Sequence, residues 1–168
     1  TATGTPLIST DKPASHEPPN TMQTHRPVSP ETILQFWFEE LTAPQHFAKD
    51  TALDAAIGTR FGATLEAATR CELFTWRATA PGRQAEILVL DQFSRNVYRN
   101  TPRAFAHDAM ALVLAQELVA SGQDRGLPPA QRAFAYLPYM HSESGVVHVQ
   151  AVQLFSQPGL EDNPAFAL

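Results

Sequence analysis

Residues 87–105, ILVLDQFSRNVYRNTPRAF, pass from an unbroken apolar run to a dense set of hydrogen-bonding side chains at Asp91. Asp91, Gln92, Arg95, Asn96 and Arg99 then fall within nine residues. Placed on an α-helix at about 100° per residue with Asp91 at zero, Arg95, Arg99, Gln92 and Asn96 fall at about 40°, 80°, 100° and 140°. Leu90, Phe93 and Val97 fall on the opposite arc, between about 200° and 260°, and Ser94 falls near them at about 300°. The stretch therefore predicts a helix with a core side and an almost wholly polar side. Asn100-Thr101-Pro102 ends it, because a residue before proline avoids the helical region.

Working outward, the same period recurs. Ser29-Pro30-Glu31 reads as a helix start, with a hydroxyl cap, proline at the first helical position and acid in the first turn. Ile33, Phe36, Trp37 and Leu41 follow at core-facing spacing. Thr42 and Pro44 restart the chain for a short turn around Phe47. Asp50 is the expected cap of a helix carrying Leu53, Ile57, Phe61 and Leu65 on one face to about Arg70. Asp50 and Asp54 suit a helix N-terminus electrostatically and call for no catalytic role on that ground. Leu73, Phe74 and Trp76 read as a short apolar turn ended by Pro81-Gly82, with the next helix starting near Arg83.

Beyond the central stretch, Pro102 to Phe105 suggests a single turn. His107 or Asp108 then caps a helix bearing Leu112, Leu114, Ala115, Leu118 and Val119, closed by Gly122. Leu127-Pro128-Pro129 opens another helix, which Pro138 bends or ends, and Ser142 is the expected cap of the following one, periodic in Val147, Ala151, Leu154 and Phe155. Pro158-Gly159 stops that helix. No segment alternates with period two over several residues, so the class is all-α, with about seven helices in one domain over residues 29–168. Residues 1–28, rich in proline, threonine and serine with few large apolar side chains, read as a disordered tail.

Composition narrows the function classes. The chain has 168 residues, 43% hydrophobic and 17% charged, which fits a soluble globular domain. A formal net charge of −5 without a basic run argues against nucleic acid as the partner. No apolar run nears the roughly 20 residues of a spanning helix, and the start lacks a signal-peptide layout, which argues against a membrane. The single cysteine, Cys71, forbids an intrachain disulfide and fits a reducing cytoplasm; its apolar helical context suggests an inert thiol.

The polar arc admits three readings. On a solvated face, Asp91 and Arg95 would be an ordinary i, i+4 pair. Facing inward, the arc would be a structural network or a ligand pocket, with His141, Glu143 or a bound anion as partners for each guanidinium. His141-Ser142-Glu143 is the second candidate, since a His beside an acid can serve as acid or base near neutral pH. Capping by Ser142 and a hydrogen-bonding His141 explain the same letters. No cysteine or aspartate completes a zinc set with His141 and His148, so neither metal nor cofactor is expected. Nucleophile and phosphate-binding motifs are absent.

Taken together, FWFEEL, KDTALDAAIGTRFGATLEAA, LDQFSRNVYRNTPRAFAHDAMAL, Leu127-Pro128 and LPYMHSES resemble the bacterial domain-of-unknown-function family numbered 924, from about Ile33 to Phe155. The combination of LDQFSRN with a later HSES is specific. The resemblance implies an all-helical fold akin to tetratricopeptide-repeat-like α–α superhelices, and it carries no established activity. Asp91, Gln92, Arg95, Asn96, Arg99, His141, Ser142 and Glu143 match the family's polar signature. The resemblance also implies a further helix ending in Gly-Arg-Phe-Pro-His-Arg-Asn, of which Asn163-Pro164 would be the start, so a C-terminal helix is expected to be lacking. Cys71 stands where the family's pattern implies a small residue, usually glycine, and a cysteine lacks glycine's ease at positive φ.

These readings converge on a polar concavity that binds an anionic small molecule or a peptide carboxylate. Arg95 and Arg99 would contact the anion, Gln92, Asn96 and His141 would orient it, and Asp91 would hold an arginine in place. The alternatives are an enzyme using His141 or Glu143 as acid or base on an anionic substrate, and a purely structural buried network.

Overall fold

The computed structural model describes residues 26–161. Among these, every regular element is helical: α1 (Pro30–Gln35), α2 (Thr51–Thr69), α3 (Ala80–Leu88), α4 (Ser94–Val97), α5 (Asp108–Ala120), α6 (Pro129–His141) and α7 (Gly145–Phe155), with short 3₁₀ turns between them and π-helical turns at Phe36–Glu40, continuing α1, and at Val89–Phe93. Most of the predicted tail, and the helix start predicted at Asn163-Pro164, lie outside the described residues. Val28, inside the stretch predicted as tail, packs on the core and donates its N–H to Thr64 Oγ1 at 3.0 Å.

Local chemistry accounts for most boundaries. Ser29 caps α1 by accepting from Thr32 N at 3.2 Å, and Asp50 caps α2 by accepting from Ala52 N and Leu53 N. Two expectations need correction, and the reading that Pro138 bends or ends its helix is narrowed. The helix expected near Arg83 begins at Ala80, because Thr79 accepts from Gly82 N and Pro81 sits in the first turn, where its missing N–H costs nothing. Gly82 is required there, since a Cβ would lie 2.0 Å from the Trp76 carbonyl oxygen. Pro138 does not end α6, which runs on to His141. Ser144, not Ser142, caps α7; Ser142 closes α6 and accepts from Ser144 N.

The helix that organises the rest is continuous from Ala80 to Val97. Its middle turn, Val89–Phe93, is π-helical, and the flanking residues Leu88 and Ser94 keep right-handed helical angles. The seven α segments therefore make six rods, α3 and α4 being two ends of one. This rod packs against α1, α2, α5 and α6, and all eleven residues 84–94 are buried. Asp91, Gln92 and Asn96 of the polar arc are therefore internal, whereas Arg95 is partly exposed and Arg99 follows the helix in a partly exposed turn. Leu90 and Phe93 join the main core with Ile33, Trp37, Ile57, Phe61 and Leu65, as their spacing predicts.

Candidate functional site

The π turn determines what the arc can touch. Each i→i+5 turn holds one residue more than an α turn, so a projection at 100° per residue overruns beyond it. Ser94, placed off the polar arc by that projection, is buried and its Oγ makes no hydrogen bond among the described residues, so it takes no part in the arc's network. Such single π turns recur at functional sites.

Asp91 is the hub. Its side chain is 1% exposed, and its carboxylate accepts from Gln92 Nε2 at 2.8 Å, Arg95 Nη1 at 3.1 Å and His141 Nδ1 at 2.8 Å. A carboxylate bound by Arg95 accepts only, so His141 carries its proton on Nδ1; in the neutral ring Nε2 is then an acceptor, with no partner among the described residues. His141 is the last residue of α6, which carries it across to the π turn.

The two arginines find their partners on other helices. Arg95 forms a forked pair with Asp108 at 2.8 and 2.9 Å and also donates to the Asp91 carbonyl at 2.8 Å. Arg99 forks onto Asp54 at 2.7 and 3.1 Å, and Asn96 donates to the same carboxylate at 2.9 Å. Burial pushes the Asp54 carboxyl up, but the hydrogen bonds from Arg99 and Asn96, together with the Arg99 charge, outweigh it and hold the group below the usual carboxylate range. The same pairing raises Arg99 against the opposing effect of burial.

The structure thus joins Asp91, Gln92, Arg95 and His141 in one network and Asn96 and Arg99 in another. Glu143 joins neither: it is exposed, with no partner among the described residues. Besides Asp91 on Arg95, the groups that pair with the guanidiniums are Asp54 and Asp108 rather than His141 or Glu143. Both had a local explanation as acids at helix starts, and nothing in the sequence marks a contact 45 residues away.

Two clefts open on this network. The first, of about 680 Å³, is lined by Lys49, Arg95, Arg99, Asn100, Thr101 and Phe105, among others. Lys49, which sequence reasoning missed, is exposed and makes no ion pair among the described residues. Arg99 keeps Nη1, and Arg95 keeps Nε, free of partners among those residues. The second cleft, of about 400 Å³, places Asp108, His141, Ser142 and Glu143 against the apolar groups of Phe105, Leu112 and Pro138. Among the described residues, no group of three His, Cys, Asp or Glu side chains could hold a metal ion, and no helix is long and apolar enough to cross a membrane.

An all-helical domain built around one internal, polar, π-bulged helix is the class of protein that this fold and site define. The chain belongs to the family described as bacterial protein of unknown function (DUF924), whose model matches residues 33–165. It is also similar to the solved structure of a protein of unknown function, ATU0120, from Agrobacterium tumefaciens. That likeness has 34% identity and a TM-score of 0.72, over 75% of this chain and 71% of that one. No curated protein matches.

Proposed function

We propose that the protein binds a small molecule or peptide through a carboxylate held in the cleft of Lys49, Arg95 and Arg99. The observation that carries this reading is the convergence there of an unpaired lysine with two guanidinium groups that retain free N–H donors. Asp54 and Asp108 pair with the two arginines and fix the orientation of their planes, and Asp91 adds a third carboxylate on Arg95, so Lys49 is the one cation lining the cleft that has no carboxylate partner among the described residues. A single unpaired cation suits a carboxylate better than a polyphosphate. A cleft of about 680 Å³ lies within the ordinary range for small-ligand sites. The tetratricopeptide-like character of the fold and a cytoplasmic place of action stand with this reading; a lone, unbridged cysteine agrees with the latter.

A second reading is favoured by the Asp91–His141 contact. A buried carboxylate on Nδ1 that leaves Nε2 as the acceptor is the arrangement of a general base, and His141 lines a cleft of its own.

Thermal denaturation with a panel of short carboxylic acids and their primary amides tests the leading reading. Acids that bind raise Tm by mass action and the matching amides do not. Lys49→Met, at an exposed and unpaired position, keeps the fold and weakens the acids about tenfold, as loss of one charge-assisted hydrogen bond requires. Equal effects of acids and amides, or an unchanged response in Lys49→Met, overturn it.

A further inference from the structure

We infer that the two clefts are opposite ends of one site for a zwitterion, a short peptide with both termini free, whose carboxylate lies by Lys49 and whose ammonium lies by Glu143. This rests on the carboxylate reading and extends it to the ligand's other end. The clefts adjoin: Phe105 lines both, Arg95 lines the first and Asp108 the second, and those two side chains are paired across the boundary at 2.8 and 2.9 Å. That ion pair turns its cation toward the first cleft and its anion toward the second.

The polar groups of the second cleft have the opposite bias from those of the first. Glu143 is an exposed carboxylate with no partner among the described residues. In its neutral form His141 offers Nε2 as an acceptor, because Nδ1–H is committed to Asp91. Asp108 adds a further carboxylate, and no lysine or arginine lines this cleft. A ligand group placed here must donate hydrogen bonds and gains from a positive charge, which describes an ammonium. Between the two ends stands Phe105, 61% exposed, with the Arg95 guanidinium 5.2 Å from its ring centroid. Leu112 and Pro138 continue the apolar surface. An apolar side chain between two charged termini matches this order of cation, ring and anion. Clefts of about 680 and 400 Å³ hold several residues rather than one amino acid.

Calorimetric titration with trileucine, N-acetyl-trileucine and trileucine amide tests this on the full chain and on Glu143→Gln and Lys49→Met. Both substitutions fall at exposed positions unpaired among the described residues, so the fold is expected to persist. The free peptide binds wild type, and acetylation and amidation each weaken it about tenfold or more. Glu143→Gln removes the penalty of acetylation alone, and Lys49→Met that of amidation alone. If amidation weakens binding and acetylation does not, the carboxylate cleft stands and the zwitterion inference falls. If the amide binds as well as the free peptide, both fall. Absence of binding by all three peptides, with the carboxylic acids still stabilising the protein, overturns this inference alone.

Discussion

Asp54 shows how one residue can satisfy two physical demands of which the sequence displays only one. In the first turn of α2 its charge complements the helix N-terminus, and that account is complete without any other residue. In the fold it also holds Arg99 and Asn96, brought to it by the packing of α4 on α2. Asp108 does the same for Arg95 from the first turn of α5. The identity of the polar residues on the central helix was legible, because their types and spacing are local. Their partners were not, because pairing across helices depends on tertiary packing. Asp54→Asn leaves Arg99 without its fork and is expected to cost about 2 kcal/mol, the scale of hydrogen bonds to charged groups in a partly exposed site. Urea denaturation of the variant checks this; an unchanged midpoint would show that Arg99 is satisfied by solvent.

Among elements, the central helix and the end of α2 both depart from regular geometry. The period of Leu90, Phe93 and Val97 announces a helix, but nothing in the letters announces that its middle turn is π-helical, because i→i+5 bonding is set by what the turn must fit against. The close of α2 is the opposite case. Cys71 adopts φ of 61°, donates its N–H to the Ala68 carbonyl, and is followed by Glu72, which donates to Ala67. That is the double bond pattern that caps helices with a left-handed residue, normally glycine. The expectation of a glycine there was sound. The apolar helical setting read for Cys71 is corrected, since the residue is exposed just past the end of α2. Cys71→Gly relieves a left-handed strain of about 1–2 kcal/mol and adds back part of it as chain entropy. A net gain of up to about 1 kcal/mol, or about 2–4 °C in Tm, is expected in a thermal scan.

For the whole molecule, burial and pairing set the response to acid. His46 donates Nε2–H to the Trp37 carbonyl at 2.6 Å and stacks on the Trp37 ring; burial lowers its pKa, against the opposing effect of that hydrogen bond. Its contribution is fully present above the unfolded value of 6.5. It is lost as pH falls below that value, because the unfolded chain takes up the proton first. Asp54, also lowered, acts in the same direction at lower pH: its contribution is present above 3.8 and is lost as pH falls through its folded value. Tm is therefore expected to decline in two stages on acidification. In His46→Gln the first stage, which opens below pH 6.5, should shrink, and a profile identical to wild type would remove His46 from the account.

The central claim is that Arg99, in the turn just past the internal helix, meets a ligand carboxylate beside Lys49. Side-chain ¹⁵N NMR of the arginines and lysines, titrated with the carboxylic acid that most raises Tm, reads it directly. Lys49 and Arg99 should shift together along one saturable curve, while Arg77, locked onto the buried Glu86 by bonds of 2.8 and 2.9 Å, stays still. Resonances that move linearly without saturation, or that move alike for Arg77 and Arg99, would contradict it.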